Sequence, residues 1–282
     1  MKRSTRAELA RETVEIVERG SYRSASGRLV DIAHPVRDCL EATRYYPPEE
    51  LERLRGDLLG HPGNDHPTVI EVVNETTLSG IARVLSHGRG PVAVLNFASA
   101  KNPGGGFLNG SHAQEESLAR SSALHASQMR AWEFYERHRA SSSPLYSDAM
   151  ILSPGCPIFR DDDGKLLDEP RMAAFITSAA PNAGAAADNR PAELPSVPGV
   201  FRRRSEYVLT LAASQGYRQL VLGAWGCGVF RNDPGVVAES FAAHLRQGRW
   251  SGRFDRVVFS VLDTSPSQST LSAFRRASSR GE

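Results

Sequence analysis

Cysteine is scarce in this chain: Cys39, Cys156 and Cys227 are its three, widely separated and never in a C-x-x-C pair. That spacing suggests neither a zinc site nor a disulfide framework, and it fits a reducing compartment. Long apolar runs are lacking too. No window approaches the length that crosses a bilayer, and the first ten residues mix charges around no apolar segment, so a soluble, cytoplasmic protein is expected. Charge of one sign is not in excess, because 34 Lys and Arg stand against 32 Asp and Glu, for a formal net charge of +2. Such a balance does not require a polyanionic partner; the clusters Arg202-Arg203-Arg204 and Arg275-Arg276 read as solvated surface, and direct nucleic-acid binding is not expected. Also missing are the P-loop G-x-x-x-x-G-K-[ST] and a well-matched G-x-G-x-x-G dinucleotide loop.

What the chain does have is bulk and alternation. With 282 residues, 40% of them hydrophobic, it can bury one large core carrying an extension. Residues 1–66 read as a mainly helical N-terminal extension packed on the core: a helix over 5–19 with Leu9, Thr13, Ile16 and Val17 on one face, a short strand within 26–32, and a helix opened by Pro47-Pro48. Over residues 67–282 strand and helix alternate. Strands are expected at 68–74, 91–98, 149–152, 173–178, 219–223 and 256–262; helices at 76–85, 115–138, 200–215 and 234–246. This pattern predicts an α/β fold, a mixed and largely parallel sheet with helices on both faces and ligands outside the carboxyl ends of the strands. Asp163-Gly164 marks a hairpin between strand-like ends at 157 and 167. The acidic triplet Asp161-Asp162-Asp163 lacks the calcium-loop pattern and reads as a solvated turn, and residues 183–198 read as a long loop flanking the site. No metal or cofactor is expected.

The strand at 91–98 leads into the stretch on which function converges. Gly104-Gly105-Gly106 lack Cβ atoms, so their backbone can take positive φ and close its N–H groups around an anion such as a diphosphate. Gln114-Glu115-Glu116 then open a helix and set two carboxylates near that cradle. Taken alone, a glycine triplet is often a flexible loop, and acids in a first helical turn often only complement the helix dipole. A second glycine loop, Gly226-Cys227-Gly228-Val229-Phe230, follows a strand and precedes a helix, so it lies at the same sheet edge and two loops can clamp one diphosphate. Asn96 and Asn102 are the polar residues nearest the first loop, Trp225 reads as core, an apolar slot for adenine is expected near Glu75 or Thr76, and His112 and His125 read as surface or packing residues.

The order Gly-Gly-Gly, a gap over 107–113, then Gln-Glu-Glu resembles the signature of the poly(ADP-ribose) glycohydrolases of bacterial type. The resemblance continues through Asn96-Phe97-Ala98, Thr177-Ser-Ala-Ala-Pro-Asn182 and Gly223-Ala-Trp-Gly-Cys-Gly-Val-Phe-Arg-Asn-Asp-Pro234. It implies a three-layer macrodomain and a glycosidase that hydrolyses ribose–ribose O-glycosidic bonds, releasing ADP-ribose from chain ends. It also implies that Glu116 is the general acid, that Glu115 and Gln114 bind the substrate, that both glycine loops hold the diphosphate, and that Phe230 packs on the terminal ribose. The partners it implies are poly(ADP-ribose) and ADP-ribosylated proteins, in a bacterial monomer with a part in the DNA damage response. Two alternatives use the same loops: a macrodomain that binds ADP-ribose without cleaving it, against which Gln114-Glu115-Glu116 argues, and a hydrolase of mono-ADP-ribose or ADP-ribose esters.

Adjacent helical residues project about 100° apart, so Glu115 and Glu116 do not flank one sugar as ordinary glycosidase pairs do, and one carboxyl is expected to serve as acid and then base. Substrate phosphate, the neighbouring carboxylate and desolvation all oppose ionisation, so the acid, Glu116, is expected to titrate above an ordinary glutamate once substrate is bound.

Overall fold

The computed structural model describes residues 1–60, 66–88, 90–246 and 249–279. Its main sheet has seven strands, β3 (Arg44–Tyr46), β4 (Val69–Val73), β5 (Val92–Phe97), β6 (Met150–Arg160), β7 (Leu166–Ser178), β8 (Gln219–Leu222) and β9 (Arg256–Ser260), in the order β3-β6-β7-β5-β8-β9-β4. From β7 to β4 the neighbours run parallel; β6 and β3 close one edge antiparallel. A separate ribbon pairs β1 (Ser21–Arg23) with β2 (Leu29–Asp31).

Strand β5 is apolar on both sides because both sides are covered. Ala93 and Leu95 face a core shared with α3 (Pro48–Leu59), α9 (Val197–Ser214), α10 (Pro234–Arg246) and α11 (Ser269–Ser279). Val92 and Val94 face a second core, shared with α1 (Arg3–Arg19), α2 (Ala33–Ala42) and α4 (Thr77–Ser86). β8 and β9 divide the same way, with Leu220, Leu222, Val257 and Phe259 on one face and Val221 and Val258 on the other. A period of two, read between two helical layers, thus turns a run such as Val-Ala-Val-Leu into the middle layer of three.

The N-terminal segment contributes directly to this body. Residues 44–46 pair with β6 at the sheet edge, and Thr13 in α1 donates to the Arg120 carbonyl at 2.5 Å. The expected boundary between residues 66 and 67 adjoins 61–65, which lie outside the described residues.

Several expectations change. The helix expected over 115–138 is three, α5 (Gln114–Ser121), α6 (Leu124–Gln128) and α7 (Trp132–Arg139). Ser122 leaves the helix for an extended conformation, bridging Ile158 of β6, while the Ala123 N–H donates to the Pro157 carbonyl. Edge pairing to β6 therefore interrupts a segment whose composition alone favours continuity. The loop expected over 183–198 is α8 (Ala183–Asn189), a 3₁₀ turn over 191–196 and the start of α9. Asn182 caps α8, accepting from the Ala185 N–H at 2.9 Å, and the alanine run then propagates it. The hairpin at Asp163-Gly164 forms as expected, but its arms are far longer than the short strands read from the sequence. Cys39 and Cys156, distant in sequence, are buried in the same core cluster, both as free thiols.

Arg204 is a further correction. It is not solvated surface but wholly buried, pairing with Asp148 at 2.8 Å and donating to the carbonyls of Ala179 and Leu145. Burial opposes the charge on Asp148, yet Arg204 and Arg203 outweigh it and hold the carboxyl below its ordinary range. Removing one partner of such a pair leaves an uncompensated buried charge, so Asp148→Ala is expected to destabilise the fold by about 3–5 kcal/mol in urea titrations. A loss under about 1 kcal/mol contradicts this account.

Candidate active site

A cavity of about 880 Å³ opens at the carboxyl ends of β5 and β8. Gln114, Glu115 and Glu116 of α5 line one wall and residues 226–230 line another, with Glu75, Thr76 and Thr77 at the start of α4 nearby.

The catalytic-looking wall is built from β5 outward. Gln114 accepts the Phe97 N–H at 2.9 Å and donates to the Leu95 carbonyl at 2.8 Å, so its amide continues the ladder of β5 and fixes where α5 begins. Glu115 follows, 3% exposed. It accepts from the Ser99 N–H at 2.6 Å, from Gln128 Nε2 at 2.8 Å and from Asn96 Nδ2 at 3.1 Å. Burial nevertheless dominates and pushes the Glu115 carboxyl up to about 7, with the Glu116 charge a minor contribution in the same direction. The raised carboxyl in this structure is thus that of Glu115, a residue not singled out for it from the sequence, and its main cause is burial. Glu116 is more open. Its two oxygens accept the Gly106 and Ala113 N–H groups, each at 3.0 Å, the second being half of a capping box.

The glycine triplet, expected to cradle an anion, has its three donors turned to partners within the chain. The Gly104 N–H donates to Gln128, that of Gly105 to the Asn102 carbonyl and that of Gly106 to Glu116, so all three donors are engaged within the chain. These glycines do not line the cavity, nor do Asn96 or Asn102. Asn96 is buried beneath Glu115, and Asn102 sits on an exposed turn. The triplet instead allows close approach: Gly105 has φ +58°, and a Cβ there would fall 2.5 Å from Glu116 Oε1 and 3.2 Å from Glu115 Oε2. One point of backbone lies against both carboxylates.

The second loop is arranged in the opposite way. Its shape is held by Asn232, which donates to the carbonyls of Pro181 and Gly226 at 2.8 and 3.0 Å, and by Gly226 at φ +74°. The N–H groups of Gly226, Gly228, Val229 and Phe230 donate to no other described residue, and these four residues line the cavity. This leaves a nest of free donors suited to an anion. The Cys227 N–H, by contrast, donates to the Ala224 carbonyl, and burial pushes its thiol up to about 12. Phe230 packs partly against the core beside Tyr146, while Trp225 is wholly buried, donating to the Ser178 carbonyl.

Of the adenine candidates, Glu75 is paired with Arg83 at 2.7 Å, and Thr76 donates to Asp162 at 2.6 Å, so the acidic turn reaches the start of α4. His125 stacks on Phe107, with ring centroids 4.7 Å apart. Among the described residues no cluster of His, Cys, Asp or Glu is placed to hold a metal ion. Sequence reasoning missed Gln128 and Asn232, each of which orients a wall of the site. Asn232 lay within a singled-out stretch, whereas Gln128 had no local signal.

A three-layer sheet with a donor-rich glycine loop facing two convergent carboxylates defines a macrodomain-like protein equipped for acid–base chemistry. Residues 10–161 match the family model described as the microbial-type PARG catalytic domain, where PARG is poly(ADP-ribose) glycohydrolase. The crystal structure of PARG from Thermomonospora curvata is 51% identical, covers 97% of this chain and 99% of its own, and superposes with a TM-score of 0.93. The same enzyme bound to the inhibitor ADP-HPD gives 50% identity, 97% and 99% coverage and a TM-score of 0.90. PARG from Deinococcus radiodurans in complex with ADP-ribose gives 47% identity, 89% and 99% coverage and a TM-score of 0.83. No curated protein matches the chain. The chain belongs to the microbial-type poly(ADP-ribose) glycohydrolase family.

Two outcomes check this geometry. Because the folded Glu115 carboxyl holds its proton more tightly than the unfolded one, its contribution to stability is complete below pH 4.5 and is lost as pH rises through about 7. A ¹³C titration of the Glu115 carboxyl is expected to show a midpoint near 7, and one near 4.5 contradicts the assignment. Gly105→Ala must shift Glu116, and turnover by the folded variant is expected to fall at least about tenfold.

Proposed function

We propose that this chain hydrolyses the ribose–ribose O-glycosidic bond of poly(ADP-ribose), releasing ADP-ribose from chain ends. The observation that carries this reading is the approach of both carboxylates to one point at the rim of a cavity whose opposite wall presents free backbone donors. The cavity volume suits one ADP-ribose unit.

In this reading the N–H groups of Gly226, Gly228, Val229 and Phe230 bind the diphosphate, and the Phe230 ring packs against the terminal ribose. Glu115 accepts a hydrogen bond from a ribose hydroxyl. Glu116 in its acid form gives its proton to the oxygen that leaves C1 of the terminal ribose. As the C1–O bond breaks, positive charge builds on the sugar and the nearby carboxylates stabilise it. A water then adds its oxygen to C1, and its proton returns to Glu116, so the carboxyl is restored. Gln114, Asn96 and the glycine triplet serve as positioning residues for the two glutamates. The elevated carboxyl of Glu115 favours a second reading, in which Glu115 supplies the proton.

The protein is further read as a cytoplasmic monomer acting on ADP-ribosylated proteins in the response to DNA damage; its three free cysteines fit a reducing compartment.

The test is chromatographic detection of ADP-ribose released from poly(ADP-ribose) by the wild type, Glu116→Gln and Glu115→Gln. Glu116→Gln is expected to lose about 10²-fold or more in kcat while still binding ADP-ribose. Retained turnover in Glu116→Gln together with its loss in Glu115→Gln transfers the acid role to Glu115. Tight ADP-ribose binding by a wild type that releases nothing makes the chain a reader of the mark.

A further inference from the structure

The cavity does not end at Glu116. It continues past α5 into an annex between α1 and the β6–β7 hairpin, where Arg6, His112, Ser117 and Arg120 form part of its lining. Arg120 lies one helical turn beyond Glu116 and is only 5% exposed, yet no carboxylate among the described residues is in ion-pair contact with it. Its guanidinium donates to the Ser111 carbonyl at 2.7 Å, to His112 Nδ1 at 3.2 Å and to Ser117 Oγ at 3.3 Å. That uses three of the five guanidinium hydrogens and leaves two.

Arg6 is likewise without a carboxylate partner, donating to the backbone carbonyls of Gly110 and Met1. An arginine cannot accept, so Nδ1 of His112 is the acceptor and its Nε2 carries the proton, a further donor. Loss of solvation, then the charges of Arg120 and Arg6, hold the His112 pKa below its ordinary value. Arg120 itself is lowered to about 10, by burial first and then by Arg6. A buried cation is ordinarily paired. Here cationic groups repel one another, and the acid whose field reaches both Arg120 and His112 is Glu116.

We propose that this annex is a phosphate subsite for the ADP-ribose unit on the leaving side of the scissile bond. The inference rests on the glycohydrolase reading. With the terminal unit on the glycine-loop side of the cavity, the part of the same cavity left for the unit receiving the proton from Glu116 includes the side of Arg120. The hairpin carboxylates Asp161 and Asp162 also line the cavity but pair with neither arginine, so the phosphate of that unit supplies the anionic partner that Arg120 and Arg6 lack. Holding the departing unit there aligns its oxygen with Glu116 and makes the enzyme select polymer over single ADP-ribose adducts.

The experiment compares two substrates, poly(ADP-ribose) and an ADP-ribose conjugate of a neutral aryl alcohol, with the wild type, Arg6→Ala and Arg120→Gln. ADP-ribose affinity is measured alongside. With the polymer, each variant is expected to raise KM roughly tenfold with kcat within about twofold, the size expected for loss of one charge-assisted phosphate contact. Salt is expected to weaken polymer turnover less in the variants than in the wild type. With the aryl conjugate, kcat/KM is expected to stay within about twofold, and ADP-ribose affinity is expected to hold. Equal losses on both substrates show a merely structural role and overturn the subsite, as do variants indistinguishable from the wild type on polymer. If Arg120→Gln does not fold, Arg6→Ala, on the partly exposed face of α1, decides alone. A wild type that binds ADP-ribose and cleaves neither substrate overturns the glycohydrolase reading instead.

Discussion

A carboxylate buried to 97% inside a protein demands donors, and the site of this molecule is organised by how Glu115 obtains them. Ser99 supplies a backbone N–H from the segment leaving β5, Asn96 an amide from β5 itself and Gln128 an amide from α6. Three pieces of chain are thereby gathered on one side chain, and Gln128 reaches on to the Gly104 N–H. The donors do not fully offset the loss of water, so Glu115 keeps an affinity for protons that an exposed glutamate lacks. Beside it, Glu116 faces the cavity with each oxygen steadied by a backbone N–H. The two acids thus share a helix and differ in setting, and neighbouring carboxyls can diverge in role for that reason.

Much of this was legible in the sequence, and what was hidden has a common cause. The strands at 92–97, 219–222 and 256–260 were readable because Val, Leu and Phe run continuously wherever a parallel strand is covered on both faces. The threonine cap of α4 and the Asp163-Gly164 turn were readable because they are local chemistry. The break at Ser122 was not, because it depends on pairing with Ile158, far along the chain. The alanine-rich segment at 183–189 misled because its proline and polar neighbours outweighed, on paper, a good cap and a strong helix former.

The glycine loops show the same divide at the level of function. Both were identified from composition, and both lie at the end of the sheet where ligands bind. Composition says that a backbone can approach closely; it does not say what it approaches. At Gly105 the close neighbours are the two glutamates, whereas along 226–230 four of the five N–H groups donate to no other described residue. Likewise Arg202, Arg203 and Arg204 are identical in sequence terms, yet the last lies in the core with Asp148 because α9 turns that position inward.

The hydrogen bonds of Gln114 to Leu95 and Phe97 bear on how such a site tolerates change. They make the strand the datum from which the start of α5 is measured, while the Ser99, Gly106 and Ala113 N–H groups hold the carboxyl oxygens themselves. A connection that does not set the position of the next helix is free to lengthen or shorten. Insertions within the gap over 107–113 can therefore reshape the rim, and with it the surroundings of the departing group, while both carboxylates stay in register with β5.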